Sequence, residues 1–322
     1  MPGRARELSW VLHPRPPFRL DLTAWALRRR ANNELDRWNG RAYARTIVVD
    51  DRAVDLEVTA AGSPSRPALR VVARGATGPA VRRAATEVLT RALGLQIDLA
   101  GFYRMARGDP RLAPLAARFR GLKPPRFPTV FEAVVNGIAC QQLSLTVGIL
   151  LLDRLSQLCG PRSASGAHAF PRPKDLAALR PAKLRAIGFN HNKARALLEL
   201  ACTVEDGFDL DALAELDSDA VVERLVALRG IGRWTAEYVL LRGLGRLTVF
   251  PGDDVGARTN LARWMTLRRP LDYDRVRRLA RRWQPYPGFL YFHLLLQGLE
   301  EAGMSPASVA SGDHARGRDV DV

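Results

Sequence analysis

Leu228-Arg229-Gly230-Ile231-Gly232-Arg233-Trp234-Thr235-Ala236-Glu237-Tyr238 is the stretch whose reading settles the rest of the chain. Apolar residues recur at helical spacing before it, at Val221, Val222, Leu225 and Val226, and after it, at Trp234, Tyr238, Val239 and Leu241. Two helices joined through Gly-Ile-Gly read as a helix-hairpin-helix. The glycines permit a tight turn and a close approach of the backbone to a partner. Ile231 between them plugs the hairpin into the core. The second helix opens with free N–H groups and a positive dipole end, a ready phosphate site. A glycine after a helix is also an ordinary C-cap, so the weight falls on what surrounds the motif.

Downstream lies Phe250-Pro251-Gly252-Asp253-Asp254, with Asp254 at the start of the next helix. A helix N-terminus keeps a carboxylate ionised and aims it outward; the same position suits a plain N-cap. Trp234 and Tyr238 are four residues apart and share a helix face, where they either stack on a base or fill the core. Upstream, Gly137-Ile-Ala-Cys-Gln-Gln-Leu-Ser144 ends a helix with two amides and a leucine. Such amides cap a turn or enter the gap left by a displaced base.

The whole chain sets the frame. Its 322 residues suffice for two cores. Hydrophobic content of 47% and charged content of 25% are those of a soluble globular protein. A net charge of +16 points to a polyanion, nucleic acid first. Cys140, Cys159 and Cys202 are widely spaced with no CxxC, which excludes a disulfide framework, a zinc knuckle and a Cys-ligated iron–sulfur cluster. The only lysines are Lys123, Lys174, Lys183 and Lys193, and none is expected near the hairpin. With neither a signal peptide nor a transmembrane run, a cytoplasmic location is expected.

Along the chain, residues 1–16 read as a loose N-terminus and 17–120 as an α+β domain with an antiparallel sheet. Within it, strands are expected over Phe18–Thr23, Tyr43–Val49, Val54–Thr59 and Ala68–Ala73, and helices over Ala24–Arg37 and Pro79–Leu93. A Pro-rich hinge, Gly121–Pro128, opens a mostly helical domain over 121–304. The polar segment 305–322 reads as a disordered tail. The fold class is therefore α+β.

Taken together, the hairpin run, Phe250 with Asp253-Asp254, and Gln141-Gln142-Leu143-Ser144 upstream resemble the helix-hairpin-helix DNA glycosylase superfamily, in its AlkA-type 3-methyladenine branch. The Arg282-Trp283-Gln-Pro285-Tyr286 run and His293 also match that pattern, as do Arg45-Thr-Ile and Gly78-Pro-Ala80 in the first domain. The resemblance spans residues of about 15 to 302.

It implies a fold with an N-terminal α+β domain and a helical glycosylase domain, acting as a monomer on duplex DNA by base flipping. Asp254 becomes the catalytic carboxylate, stabilising the positive sugar that forms as the N-glycosidic bond breaks. Trp234 and Tyr238 offer electron-rich faces to an electron-poor alkylated purine. Leu295 and Leu296 stand where the family often carries an aromatic pair, so they complete a less aromatic base pocket. Gln141, Gln142, Leu143 and Ser144 form the intercalating element, with either Gln142 or Leu143 as the wedge. Gly230, Ile231, Gly232, Arg233 and Thr235 meet phosphate without reading sequence. The resemblance allows a structural monovalent cation at hairpin carbonyls and no other cofactor.

Bifunctional relatives carry a Schiff-base lysine where Trp234 stands, so a lyase step lacks its nucleophile here. Two other readings stay open: a glycosylase for oxidised or deaminated purines, and a non-catalytic DNA-binding module. Asp254 speaks against the second, because a pure binder gains nothing from a carboxylate among phosphates.

Overall fold

The structure, a computed structural model, describes residues 7–304. In chain order it runs β1 (Glu7–Leu12), α1 (Leu20–Arg28), β2 (Arg37–Trp38), β3 (Ala42–Val49), β4 (Arg52–Ala60), β5 (Leu69–Arg74) and α2 (Pro79–Ala92). Then follow α3 (Ala100–Arg107), α4 (Leu112–Arg118), α5 (Val130–Cys140), α6 (Leu145–Cys159), α7 (Pro173–Ala177), α8 (Pro181–Ala186) and α9 (His191–Glu205). The last are α10 (Ser218–Val226), α11 (Arg233–Arg242), α12 (Val255–Trp264), α13 (Tyr273–Ala280) and α14 (Pro287–Glu301).

The strands form one antiparallel sheet in the order β1-β5-β4-β3-β2. Its long hairpin, β3–β4, turns at Asp50-Asp51, both in the left-handed region with φ of 47° and 60°. Alternation along β4 puts Val54, Leu56 and Val58 on the covered face, against Leu89 and Ala85 of α2.

Two expectations fail at the N-terminus. Residues 7–12, placed in the loose segment, form β1 and close the sheet on β5. Conversely, Phe18–Thr23 is not a strand: α1 begins at Leu20 and ends at Arg28 rather than running to Arg37. Alternation there is deceptive because Leu20, Leu22, Thr23, Ala24, Trp25, Ala26 and Leu27 are all buried. A helix covered on every side shows neither the stripe of an amphipathic helix nor a true period of two. The expected tail, 305–322, lies outside the described residues.

Helix α1 explains its own burial. Leu20, Ala24 and Leu27 face the sheet core, whereas Leu22, Trp25 and Ala26 face a second core with α3, α4, α12 and α14. A third core gathers α5, α6, α9, α10 and α11. The sheet is fastened to the helical half by a buried ion triad: Arg45 of β3 donates to Asp36 Oδ1 and Glu132 Oε1, both at 2.6 Å. Exposed contacts repeat the link, Asp51 pairing with Arg172 and, at 2.7 Å, with Lys174. Arg29 thereby reaches from the end of α1 into the seam between the two helical cores.

Candidate active site

The hairpin forms as its glycines require. Gly230 has φ 77°, a conformation closed to most side chains, and a Cβ there would stand 2.7 Å from Ala196 Cβ of α9. Gly232 differs: its φ of −99° is ordinary and a Cβ would meet nothing within 4 Å. Its exposed backbone is left open to a partner. Ile231 is buried in the core, as its sequence position suggests, and its N–H donates to Leu228 O at 3.2 Å. That corrects its placement among DNA-contacting groups, since neither its side chain nor its amide is free for phosphate. By helix geometry the first amides of α11 lack partners within the helix.

Gln141 and Gln142 part company. The Gln141 amide donates to Gly230 O at 2.8 Å and to Thr235 Oγ1 at 2.9 Å, so it ties its loop to the hairpin. Of the two readings for these amides, Gln141 takes the cap. Gln142 sits at φ 53° with its side chain exposed, and Leu143 is 41% exposed beside it. Ser144 caps α6 through Val147 N–H. Beneath the loop, Lys193 of α9 donates to Ala139 O at 2.9 Å and Gln141 O at 2.6 Å. A lysine therefore does approach the hairpin region, contrary to expectation. Its ammonium is spent on two carbonyls at the back of the loop, and no lysine lines the cavity in front. Gly137 lets α5 cross α11 closely, because a Cβ there would lie 2.7 Å from Thr235 Cγ2.

Between this loop, α11, α12 and α14 lies a cavity of about 660 Å³. Trp234, Tyr238, Asp254, Tyr291, Leu295 and Arg29 line it, with Gln141 to Leu145 at one side. Trp234 and Tyr238 stack on one another, centroids 5.5 Å apart and planes 28° off parallel. Leu295 reaches the wall, but Leu296 is fully buried in the core with α1 and α3, away from the cavity. Successive helix residues lie about 100° apart, so one leucine of the pair is turned from the site. His293 is also a core residue: its Nδ1 lies 2.9 Å from Phe289 O, and burial among Phe102, Phe119 and Phe289 pushes its pKa down to about 4. Arg233 points to the opposite side of α11, its guanidinium 4.9 Å from the centre of the Tyr273 ring.

Asp254 is the N-cap of α12 and accepts the Ala257 N–H at 2.8 Å. Burial raises its pKa above that of an ordinary aspartate, opposed by hydrogen bonds from the Ala257 amide, the Trp234 and Tyr291 side chains and the Gly256 amide. Desolvation thus outweighs the helix end, which by itself favours the ionised form. The residue that caps α12 is thus also one that lines the cavity.

Sequence reasoning missed the cavity's floor. Buried Arg29 donates to Tyr238 Oη at 3.0 Å, Tyr238 donates onward to Asn136 Oδ1 at 3.0 Å, and Arg29 also reaches Asn136 at 3.4 Å. Arg242, fully buried, lies with its guanidinium 5.9 Å from the Tyr238 ring centre and 5.1 Å from that of Phe127. No local signal marks Arg29, because it arrives from 209 residues before Tyr238.

Among the described residues no cluster of His, Cys, Asp and Glu could hold a metal. The hairpin offers main-chain oxygens instead. Leu228 O accepts the Ile231 N–H and Gly230 O the Gln141 amide, which leaves each carbonyl a second lone pair. Neutral oxygens of this kind suit a hard monovalent cation and no thiophilic metal.

Residues 135–285 match the HhH-GPD superfamily base excision DNA repair protein family. The chain is 29% identical over 204 residues to the DNA-3-methyladenine glycosylase of Bacillus subtilis (strain 168), covering 62% of this chain and 67% of that one. It is 29% identical over 288 residues to DNA-3-methyladenine glycosylase 2 of Escherichia coli (strain K12), covering 88% and 96%. A solved 3-methyladenine DNA-glycosylase from Archaeoglobus fulgidus superposes with a TM-score of 0.76 at 28% identity, covering 89% of this chain and 97% of that one. With its antiparallel sheet, its hairpin and its capped aspartate beside one cavity, the chain is similar over most of its length to 3-methyladenine DNA glycosylases, and its residues 135–285 form an HhH-GPD superfamily base excision DNA repair region.

Proposed function

We propose that the protein is a monofunctional 3-methyladenine-type DNA glycosylase, hydrolysing the N-glycosidic bond of alkylated purines in duplex DNA with Asp254 as its catalytic carboxylate. The observation that carries this is the half-buried Asp254 carboxylate beside the Trp234–Tyr238 stack, in a cavity of about 660 Å³ large enough for a purine. The flipped base stacks on Trp234 while Gln142 or Leu143 fills the gap left in the duplex. As the bond lengthens, the sugar becomes cationic, and Asp254 stabilises it and orients the attacking water. A cationic alkylpurine is already a good leaving group, so no general acid on the base is needed. Gly232 and the first amides of α11 hold a phosphate next to the lesion. A monovalent cation at the Leu228 and Gly230 carbonyls would add positive charge at that turn.

The absence of a lyase step is part of the proposal. An imine needs a free amine at the sugar, and the one nearby, Lys193, is committed to Ala139 O and Gln141 O.

One observation favours a second substrate class. Arg29 places a cation in the wall, which suits a neutral purine bearing carbonyl acceptors, as in a deaminated or oxidised base.

Base release from methylated duplex DNA and from a hypoxanthine-containing duplex, by wild type and Asp254→Asn, tests the proposal. Wild type should release methylated base and leave a strand that breaks only after alkali, while Asp254→Asn binds the duplex without releasing base. Release by the variant at the wild-type rate removes Asp254 from the chemistry. Strand breakage without alkali removes the monofunctional reading. Release of hypoxanthine alone makes the neutral purine the substrate.

A further inference from the structure

The hairpin helix carries a second buried acid. Glu237 of α11 is 8% exposed and faces a separate cavity, of about 680 Å³, behind the hairpin. Carboxylates are rarely buried without a task. Its two oxygens serve two partners. Oε2 accepts the main-chain N–H of Gly252 at 2.9 Å, and Oε1 accepts the Tyr273 hydroxyl at 2.6 Å. Gly252 lies two residues before Asp254, in the loop that delivers that carboxylate to the other cavity. Tyr273, the first residue of α13, lies against the same glycine: a Cβ on Gly252 would stand 2.7 Å from its ring. Its ring is bracketed in turn by Arg233 of the hairpin at 4.9 Å and Arg277 of α13 at 5.7 Å. Among the described residues neither arginine pairs with a carboxylate.

The loop between Phe250 and Asp254 is anchored at its ends, by Phe250 packed in the core against Tyr291 and by Asp254 as the N-cap of α12, and Gly252 stands between them. Asp254 N–H closes a turn on Pro251 O at 3.2 Å, and Gly252 itself is held through Glu237. A catalytic carboxylate must be held to within about 0.5 Å to act on a developing charge. We propose that Glu237, together with Tyr273, is a positioning residue for Asp254: it ties the catalytic loop to the phosphate-binding helix through the Gly252 amide, so that one rigid helix sets both where the backbone of DNA lies and where the carboxylate stands. The inference rests on the reading of Asp254 as the catalytic group, and on no contact of Glu237 with DNA.

The readout is recognition of a cationic sugar. Full-length protein is titrated with two duplexes, one carrying a pyrrolidine in place of the deoxyribose and one a neutral tetrahydrofuran. Single-turnover base release from methylated duplex DNA is measured alongside. Wild type should prefer the pyrrolidine duplex, and Asp254→Asn should lose that preference. Glu237→Ala should reduce the preference and slow release by about 30-fold, since displacing a catalytic group by about an ångström costs up to about 100-fold. Its affinity for the tetrahydrofuran duplex should stay at the wild-type level. Glu237→Ala combined with Asp254→Asn should equal Asp254→Asn alone, because the two act through one group. Glu237→Gln keeps an oxygen for Gly252 and a donor for the Tyr273 oxygen, so it should retain release to within about threefold.

If Glu237→Ala does not fold, Tyr273→Phe and Gly252→Ala carry the test: the first removes a donor to Glu237, the second presses on the Tyr273 ring, and both should lower the preference. Loss of preference in Asp254→Asn with wild-type preference in the Glu237 and Tyr273 variants overturns the inference and leaves the Asp254 reading standing. Equal weakening on both duplexes, with a lowered melting temperature, makes Glu237 a merely structural residue and overturns it too. Persistence of the preference in Asp254→Asn overturns the Asp254 reading itself, and the inference with it.

Discussion

Asp254 works under two opposed influences. Burial favours its neutral form; the Ala257 and Gly256 amides and the Trp234 and Tyr291 side chains favour the carboxylate. In the proposed reaction the charged form is the one that stabilises a cationic sugar, so protonation would switch the group off. Base release should therefore fall as pH drops through the raised pKa of this group, above the 3.8 of an ordinary aspartate. Tyr291→Phe removes one of the hydrogen bonds holding the charge and should move that acid limb to higher pH; a pH–rate profile under single turnover measures it. An unmoved limb would mean that the Tyr291 hydroxyl does not act on Asp254. Tyr238, by contrast, is held in place by Arg29 and Asn136 and is backed by Arg242. Its ring is a fixed platform on which Trp234 stacks.

In the hairpin, two glycines of one motif do unlike work, and substitution separates them. At Gly230 a side chain meets both a φ of 77° and Ala196, so Gly230→Ala should cost about 1–3 kcal/mol of stability, read as a lowered melting temperature. At Gly232 the backbone is ordinary and the space empty. Serine is a good N-cap, so Gly232→Ser should melt as wild type does. Its side chain would nevertheless stand where a phosphate approaches, and affinity for duplex DNA should drop by about tenfold or more. Equal affinity would show that DNA does not reach this backbone. The loop of Gln141 to Ser144 is tied in turn to the same hairpin by Gln141 and braced from below by Lys193. The proposed wedge and the proposed phosphate site are thus parts of one scaffold, with Gln142 and Leu143 exposed at its tip.

At the scale of the molecule, α1 packs against two cores and the Arg45–Asp36–Glu132 triad joins sheet to helices. Removing one member of a buried triad leaves an uncompensated charge, so the sheet and the site are not independent. Stability has its own pH signature in His293, whose pKa is about 4 in the folded chain against 6.5 as a free side chain. Between those values the unfolded chain binds a proton and the folded one does not. The stability is fully present above about pH 6.5 and declines as pH falls toward 4, by about 3 kcal/mol in all. His293→Leu should flatten the melting temperature across that window, and a slope unchanged by the substitution would assign it to other groups.

What the sequence determined by itself is local. Gly230 dictates the hairpin turn because few other residues adopt its φ of 77°, and Asp254 caps α12 because a short carboxylate before a helix satisfies its free amides. Alternation in β4 and periodicity in α2 were legible for the same reason: one face of each meets a core. Tertiary structure decided the rest. It buried α1 on all sides, which erased its pattern, and added residues 7–12 to the sheet by pairing with a strand some sixty positions away. It chose Leu295 over Leu296, and it sent Arg29 from the first helix to the floor of the cavity. It also joined Glu237 to Gly252 and Tyr273. Periodicity records which side of an element is wet, whereas contacts between distant segments depend on how closed elements stack, and that leaves no mark in the neighbouring residues.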